Sequence, residues 1–279
     1  MQIVIPMAGR GDRFQRAGYA TAKPLIEVDG RPMIEYVTAL FPGEEHFVFL
    51  CNSEHLASTP LQSVLRTLKP HANIVSIPPH ADGPVRSIVD AAAHVSDGEP
   101  VVVSYCDFDM QWDYGDFLRT LKEKNPASAS VCYKGFHPHL LGPNLYAGVR
   151  ADANGFALEV REKHSFTPEK MDTWQQAGLF YFRSGALLKK YAGLAYDAGA
   201  RTNGECYVSN MFNVMIKDGL DSLVYPVKYF CQWGTPEDLQ AYNRWMETAH
   251  NGTQATLAGT EAKTFAYWQS FLKERSRFV

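Results

Sequence analysis

The segment Ala8-Gly9-Arg10-Gly11-Asp12-Arg13-Phe14 follows directly on the apolar run Gln2–Met7, which predicts a buried strand. Two glycines at this place allow backbone N–H groups to approach an anion closely, so the segment predicts a phosphate-binding loop. A dinucleotide-binding loop would carry a third glycine where Phe14 stands, and a P-loop would continue into Gly-Lys-Ser or Gly-Lys-Thr. The spacing fits neither motif, and two glycines alone are also compatible with a plain turn.

Short apolar runs alternate with helical patterns in the first half of the chain and follow one another closely after Lys124. A helix is predicted between Gly83 and Gly98, because apolar residues recur there at helical spacing and Pro84 suits the first helical position. A second helix is predicted over Glu205–Asp218. The predicted strands are Gln2–Met7, His46–Cys51, Asn73–Ile77, Pro100–Tyr105, Ser130–Lys134, Leu145–Arg150, Phe156–Arg161, Ala177–Phe182 and Ser222–Val227. This order predicts a three-layer α/β fold, with a mostly parallel central sheet, helices on both faces and an antiparallel extension.

Composition excludes several classes of protein. The 279 residues are 46% hydrophobic and 20% charged, which are ordinary globular values and not those of a disordered chain. A net charge of −3 without a basic stripe argues against nucleic-acid binding. Five cysteines without a Cys-x-x-Cys pair suit a reducing cytoplasm, and His137-Pro138-His139 lacks a third metal ligand and is predicted to be a surface loop. The chain shows no signal peptide and no membrane-spanning stretch, so a cytoplasmic protein with no membrane partner is expected.

Further motifs follow the glycine loop in a fixed order. Arg13 is followed by Lys23-Pro24-Leu25 and then by Gly30-Arg31-Pro32-Met33. This order resembles the signature of the sugar-phosphate nucleotidyltransferases, which combine a Gly-x-Gly-x-Arg loop with Lys-Pro-Leu and Gly-x-Pro-Met segments. Weaker similarities continue to about residue 242, and the likeness is greatest to members that act in capsule biosynthesis. The resemblance implies the nucleotide-diphospho-sugar transferase fold.

The chemistry of that family explains why it needs cationic residues. An acceptor phosphate attacks the α-phosphorus of a nucleoside triphosphate, and pyrophosphate leaves. Because reactants and transition state are dense with negative charge, catalysis is mostly positioning and cationic stabilisation. The resemblance implies that Arg13 contacts the departing pyrophosphate and Lys23 the α-phosphate. It also implies that the nucleotide is bound by Ala8, Gly9, Gly11, Gly83 and Ser87.

Asp107 and Asp109 follow the strand Pro100–Tyr105, where open α/β sheets bind ligands. Two carboxylates spaced by one residue can share a divalent cation, and oxygen ligands suit Mg²⁺ or Mn²⁺. The alternative is that Asp107 caps a turn and Asp109 faces solvent. By resemblance, Asp107 is a catalytic residue as well as a metal ligand. The family's late Asp-x-Gly-Thr-Pro-Glu motif has Gln232 in place of its metal-binding aspartate, so metal use in this chain is open.

The acceptor side is identified by resemblance alone. Elements similar to the family's Tyr-Gly-Val, Glu-Lys-Pro, Asn-Ala-Gly and Gly-Glu motifs imply an acceptor site formed by Gly148, Glu162, Lys163, Gly178 and Glu205. Several flanking positions depart from those motifs. The departures suggest an acceptor other than glucose 1-phosphate.

We therefore expect a nucleotidyltransferase domain over residues 1–245, with a nucleotide-binding part at about 1–125 and an acceptor-binding part at about 126–245. A helical tail is expected over 246–279, where Phe265, Trp268 and Leu272 recur on one helix face. The expected substrates are an NTP, with CTP favoured, and a phosphorylated sugar or non-sugar such as phosphoglutamine or phosphocholine. The sequence leaves base, acceptor and homo-oligomeric state open.

Two other functions remain open from the sequence. A GT-A glycosyltransferase shares the fold and binds a nucleotide sugar through an Asp-x-Asp motif, which Asp107-Phe108-Asp109 matches. A non-catalytic nucleotide-sensing subunit could keep the fold without a complete metal site, as Gln232 suggests. Arg13 and Lys23 argue against the glycosyltransferase, because glycosyl transfer releases no pyrophosphate.

Overall fold

The computed structural model describes residues 1–251 and 257–275, and a nine-stranded mixed sheet lies at their centre. The strands are β1 (Gln2–Met7), β2 (Glu27–Val28), β3 (Arg31–Pro32), β4 (Phe47–Asn52), β5 (Asn73–Ile77), β6 (Val101–Ser104), β7 (Phe108–Gln111), β8 (Ser128–Tyr133), β9 (Gly148–Ala151), β10 (Ala157–Arg161), β11 (Trp174–Phe182), β12 (Ser222–Val227) and β13 (Tyr229–Gln232). The pairs β2–β3 and β7–β13 form two small separate sheets.

Helices cover both faces of the large sheet. They are α1 (Asp12–Arg16), α2 (Met33–Ala39), α3 (Ser53–Ser58), α4 (Leu61–Leu68), α5 (Pro84–Asp90), α6 (Tyr114–Lys124), α7 (Gly185–Asp197), α8 (Val208–Lys217), α9 (Pro236–Asn251) and α10 (Gly259–Arg275). On one face α2, α4 and α6 contribute Ile34, Leu65 and Phe117 to the core. On the other face, α5 and α8 contribute Ile88 and Phe212. In the part of the chain that is described, no helix is both long and apolar enough to cross a bilayer.

The order of strands confirms the predicted fold class. Strands β5, β4, β1 and β6 are parallel neighbours, and all six residues of β1 are buried, as expected for a strand covered on both faces. Strand β11 pairs antiparallel with β6 on one edge and with β8 on the other, and β12 extends the sheet beyond β8. The hairpin β9–β10 is added where β11 extends past β6. These strands form the antiparallel extension.

Two predicted helices are shorter than their patterns suggested. Helix α5 ends at Asp90, well before Gly98, and a short 3₁₀ turn at Ala92–His94 follows it. Helix α8 begins at Val208 and not at Glu205, because Glu205 pairs through its backbone with Thr202. The side chain of Asn210 then accepts a hydrogen bond from the N–H of Tyr207 and fixes the helix start.

The prediction that His137 and His139 lie on a surface loop is wrong. His137 is 1% exposed, and its ring lies 4.4 Å from that of Tyr133. His139 Nε2 is hydrogen bonded to the hydroxyl of Tyr133 at 2.8 Å. His137 also packs against Tyr267 of α10, and His139 packs against Phe230 of β13. Burial lowers the pKa of His137 to about 4.

The last two described helices form a third apolar cluster against β13 and α2. The helix predicted from the spacing of Phe265 and Trp268 is present as α10, and both side chains are buried. The predicted boundary between domain and tail, at residue 245, falls inside helix α9. The division into a domain and a tail stays a prediction, and residues 252–256 and 276–279 of that tail lie outside the described residues.

Phe271 tests how much this cluster stabilises the fold. Its side chain is fully buried between Trp268 and Tyr229. We expect Phe271→Ala to lower the free energy of unfolding by about 3–5 kcal/mol, because it removes buried area and leaves a cavity. Gln269→Ala, at an exposed position of the same helix, should change it by less than about 0.5 kcal/mol. Urea denaturation measures both, and equal midpoints would show that α10 does not stabilise the body.

Candidate active site

The predicted nucleotide loop lies at the carboxyl ends of the parallel strands, next to the segments that follow β5 and β6. Ala8 is 1% exposed, and Gly9 pairs through its backbone with His80. Gly11 begins α1, on which Arg13 is exposed. Since β1 and β6 are parallel neighbours, the loop after β1 and Asp107 after β6 lie at the same edge of the sheet.

Lys23 and Asp107 meet in an ion pair at this edge. Lys23 Nζ lies 2.5 Å from Asp107 Oδ2 and 3.0 Å from the carbonyl oxygen of Gly234. Pro24 favours the short 3₁₀ turn that presents the lysine, because its ring fixes φ at the start of the turn. Each of the two side chains is 22% exposed, so the pair remains accessible to a ligand. Two predicted catalytic residues are thus in direct contact.

The loop after β13 brings the carbonyl oxygen of Gly234 onto this pair, and the first turn of α9, which follows the loop, adds the half-buried carboxylate of Asp238. Asp238 Oδ1 accepts a hydrogen bond from Gln232 Nε2 at 2.6 Å, and Oδ2 accepts one from the Thr235 hydroxyl at 2.8 Å. Burial raises the pKa of Asp238, and the negative charge of Asp107 adds to the shift. Gln232 is 6% exposed, and within the described residues its Oε1 has no hydrogen-bond partner. This orphan oxygen is an acceptor that a ligand can satisfy.

Asp109 lies inside β7 and not in a loop. It is 8% exposed, so the alternative in which it faces solvent is wrong. Its Oδ1 accepts a hydrogen bond from the backbone N–H of Met110, and its β-sheet partner is Cys231. The carboxylate is therefore engaged with its own strand, and its role as a metal ligand stays a prediction.

The predicted acceptor residues gather around the start of α8. Glu162 accepts a hydrogen bond from Ser209, and burial raises the pKa of Glu162. Lys163 has a positive φ of 53° and places its Nζ 5.8 Å from the ring centre of Tyr207. Glu205 is hydrogen bonded to Tyr207 and acts with burial to raise the pKa of that phenol. The side chains of Glu162, Glu205 and Lys163 therefore lie close to the phenol of Tyr207.

Tyr105 connects this group to the catalytic pair. Burial raises the pKa of Tyr105, with smaller contributions from the charges of Glu162 and Asp107. Gly178 lies beside Tyr105 at a position that favours glycine. Its φ is +82°, and a Cβ there would lie 2.9 Å from the Tyr105 ring. Gly148 begins β9 and pairs with Gln175 of β11. Its backbone lies against the segment that carries Lys163, since a Cβ on Gly148 would lie 2.3 Å from the carbonyl oxygen of His164.

The other predicted nucleotide-binding residues, Gly83 and Ser87, lie on the turn and the helix that follow His80, and this turn packs against the backbone next to Glu205. Gly83 precedes α5 with φ at +88°, and a Cβ there would lie 2.6 Å from the carbonyl oxygen of Cys206. Ser87 is 1% exposed and hydrogen bonded to His80 at 2.8 Å. The positions implied for the nucleotide thus lie next to the loop at Gly9, which pairs with His80.

Sequence reasoning missed Tyr207 and Asp238. Tyr207 comes two residues after Glu205, and no sequence pattern indicates that its phenol lies next to two acids and a lysine. Asp238 completes the pattern Thr235-x-x-Asp, a helix-start signal that could have placed its side chain against Thr235.

The sequence matches the MobA-like NTP transferase domain over residues 3–201. The chain belongs to this family. It is therefore a nucleotidyltransferase, as the order of its motifs predicted, and the glycosyltransferase alternative loses its support. A search of curated proteins found no matching sequence.

Two solved structures of other proteins have the same fold as this chain. The nucleoside-diphosphate-sugar pyrophosphorylase from Vibrio cholerae RC9 is 19% identical, with a TM-score of 0.69 over 87% of this chain and 100% of that chain. The inositol-1-phosphate CTP transferase from T. maritima is 16% identical, with a TM-score of 0.64 over 87% of this chain and 93% of that chain. Both similarities are of fold, since the sequences have diverged far.

Gln232→Asp tests the contact between Gln232 and Asp238. The variant places a second carboxylate against Asp238, so we expect the free energy of unfolding at about pH 8, without divalent cations, to fall by about 1–3 kcal/mol below that of Gln232→Asn. Asn has the same shape without the charge. Because burial raises the pKa of Asp238, protonation relieves the repulsion as pH falls, and the difference between the variants should shrink towards pH 5.

Excess Mg²⁺ should also restore stability to the Gln232→Asp variant, and to a smaller extent to Gln232→Asn, if the position faces a cation. Thermal unfolding with and without Mg²⁺ measures this. Equal stability of the two variants at every pH would contradict the contact.

Proposed function

We propose that this protein joins an NTP, with CTP favoured, to a phosphorylated small molecule and releases pyrophosphate. The observation that carries the proposal is the position of Lys23, whose ammonium lies between Asp107 and Gly234 at the edge that carries the glycine loop. A cation held at a parallel-sheet edge suits a phosphate ligand. Family membership supplies the reaction type.

The reaction is a substitution at the α-phosphorus. An oxygen of the acceptor phosphate forms a bond to that phosphorus, the bond to the β-phosphate oxygen breaks, and the electron pair leaves with pyrophosphate. In our proposal the backbone at Ala8, Gly9 and Gly11 binds the triphosphate. Lys23 stabilises the charge that develops on the α-phosphate, and Arg13, exposed on α1, contacts the leaving pyrophosphate.

A divalent cation fits the oxygen groups that the site contains. Asp107 offers a partly exposed carboxylate, and Gln232 offers the buried Oε1 without a protein partner. Within the described residues no three His, Cys, Asp or Glu side chains form a metal cluster, so nucleotide phosphates would complete the ligand set. When bound, Mg²⁺ or Mn²⁺ would neutralise phosphate charge. We propose Asp107 and Gln232 as its ligands and keep Asp109 as a predicted third.

The acceptor is proposed to bind at Glu162, Lys163, Glu205 and the glycines Gly148 and Gly178. Lys163 supplies a positive charge for the acceptor phosphate, and the two acids supply hydrogen-bond acceptors for the rest of the molecule. The T. maritima protein of this fold is an inositol-1-phosphate CTP transferase, and this similarity supports our choice of CTP as the nucleotide and of an acceptor other than a glucose phosphate. Phosphoglutamine and phosphocholine are further acceptors to test. We place the activity in cytoplasmic biosynthesis of capsule or other cell-surface glycans.

A pyrophosphate-release assay tests the proposal. The full chain is incubated with each of the four NTPs, Mg²⁺, and a panel of sugar 1-phosphates, inositol phosphate, phosphocholine and phosphoglutamine. Pyrophosphate release that needs both an NTP and one acceptor supports the proposal. Nucleotide binding without turnover on any acceptor would instead support a nucleotide-sensing subunit.

Lys23→Ala is expected to lower kcat/KM by about 10²-fold, or about 2.7 kcal/mol, because the α-phosphate loses its cationic partner. Lys122→Ala, at an exposed position of α6, is the control and should leave kcat/KM unchanged. Steady-state pyrophosphate release measures both. A folded Lys23→Ala protein with wild-type turnover would rule out the assignment.

Lys163→Ala is expected to raise the KM of the acceptor about tenfold and to leave the KM of the NTP nearly unchanged, because it removes one charge-assisted hydrogen bond on the acceptor side. Lys134→Ala is a matched control, since its Nζ also lies 5.8 Å from an aromatic ring centre, that of Trp174. Initial rates at varied concentrations of each substrate separate the two constants. Equal effects on both substrates would contradict the placement of Lys163.

A further inference from the structure

The hydroxyl of Tyr146, in the loop before β9, lies beside the ion pair of Lys23 and Asp107. Three oxygen atoms would be the nearest neighbours of a Cβ added to Gly234, apart from the residues next to it in the chain. They are Asp107 Oδ2 at 3.6 Å, the Tyr146 hydroxyl at 3.9 Å and Asp238 Oδ2 at 4.0 Å. Lys23 Nζ donates a hydrogen bond to the carbonyl oxygen of the same glycine. The phenol and the ammonium are therefore grouped around one residue of the loop after β13.

The three oxygen atoms border a small open space. Each lies at an ordinary van der Waals distance from the position of the added Cβ, so an atom of that size fits there without displacing them. Gly234 and Tyr146 are partly exposed, and the side chain of Asp107 is 22% exposed. The space therefore lies at the accessible side of the ion pair, where an atom of a ligand can enter it.

The Tyr146 hydroxyl is held in position but has no protein partner. Its ring packs against those of Phe230, His139 and Tyr133, with ring centres 5.5, 5.6 and 6.2 Å away. Within the described residues Tyr146 donates one hydrogen bond, from its backbone N–H to Asn144, and its hydroxyl makes none. Three packed rings thus fix the direction of a polar group that is left for a ligand.

The surroundings of this hydroxyl call for a ligand atom that accepts a hydrogen bond. Both neighbouring carboxylates already accept one, Asp107 from Lys23 and Asp238 from Thr235. A phenol ordinarily titrates near pH 10, and burial raises the pKa of Tyr146 further. The hydroxyl therefore keeps its proton at neutral pH and can donate it in a hydrogen bond to an anionic oxygen.

We infer that Tyr146 is a further catalytic residue, whose hydroxyl donates a hydrogen bond to a non-bridging oxygen of the α-phosphate that Lys23 contacts. The inference rests on the proposed function, in which Lys23 stabilises the charge on that phosphate. A donor that is already fixed in direction costs little reorganisation as charge develops during the substitution. The phenol also supplies this bond without adding charge to a place that already contains an ammonium and two carboxylates.

Two substitutions test the hydroxyl and the space separately. Tyr146→Phe removes the hydroxyl and keeps the packed ring. Gly234→Ala adds a methyl group that the protein can accommodate but that occupies the space next to the hydroxyl. The matched controls are Tyr181→Phe, a buried phenol of β11, and Gly98→Ala, an exposed glycine with open space around it.

Steady-state pyrophosphate release at varied concentrations of each substrate separates kcat from the two KM values. We expect Tyr146→Phe to lower kcat by about 10- to 100-fold and to leave both KM values within about threefold, because the bond is strongest in the transition state. Gly234→Ala should lower kcat/KM for the NTP by about tenfold or more, since its methyl group excludes the phosphate oxygen. Both variants should unfold within about 2 °C of the wild type, and both controls should keep wild-type turnover.

Other results overturn the inference. Wild-type kcat in Tyr146→Phe, or wild-type kcat/KM in Gly234→Ala, would show that no reacting group meets the hydroxyl. A rise in acceptor KM alone in Tyr146→Phe would place the hydroxyl on the acceptor, and a fall of several degrees in its unfolding temperature would show a structural role. A wild type that releases no pyrophosphate contradicts the proposed function and this inference together, whereas an active wild type with an unaffected Tyr146→Phe variant contradicts this inference alone.

Discussion

The ion pair between Lys23 and Asp107 joins three parts of the chain that are far apart in sequence. Lys23 follows the glycine loop, Asp107 follows β6, and the carbonyl oxygen that completes the contact belongs to Gly234 after β13. Parallel strands place the first two at one edge of the sheet, and pairing of β13 with β7 brings the third onto it. An unpaired lysine in this partly buried place would be costly, so the pair stabilises the site before any substrate binds and leaves a cation where phosphate is expected.

Two groups of predicted ligand-binding residues lie along this edge, and they meet where the turn at Gly83 packs against Cys206, between Glu205 and Tyr207. At the predicted nucleotide loop, backbone N–H groups and the ammonium of Lys23 are the candidate phosphate contacts. In the proposed acceptor group, Glu162, Glu205 and Lys163 lie around Tyr207, and charge predominates. Tyr105 lies between this group and the Lys23–Asp107 pair, and the charges of Glu162 and Asp107 both act on it. If the acceptor binds there, as proposed, it must carry hydrogen-bond donors besides its phosphate to pair with the two acids.

The sequence predicted the parallel core well, because strands buried on both faces are continuous apolar runs. Strands β1, β5 and β12 begin and end where their patterns indicated. The pairing of β7 with β13 was not foreseen: each strand has four residues, their partners are more than a hundred residues apart, and β7 contains the acid Asp109. His137 and His139 were misplaced for a related reason, since their rings pack against Tyr267 and Phe230, which are distant in sequence. The contact of Lys23 with Asp107 follows from parallel topology, but that of Gln232 with Asp238 depends on a loop conformation that no pattern encodes.

Gln232 shows why a departure from a family motif must be interpreted with its neighbours. Taken alone, an amide in place of an aspartate removes one negative charge from a metal site. In the structure the amide donates to Asp238, whose pKa is already raised by burial and by Asp107, so a third carboxylate here would repel two others. The amide relieves that repulsion through its N–H and still offers an oxygen, which within the described residues has no protein partner. A site built this way would bind a free cation less strongly than three carboxylates would, and it would depend more on the phosphates of the nucleotide to hold the metal. Metal and nucleotide would then bind together, and the cation would be retained only while the triphosphate occupies the edge beside Lys23.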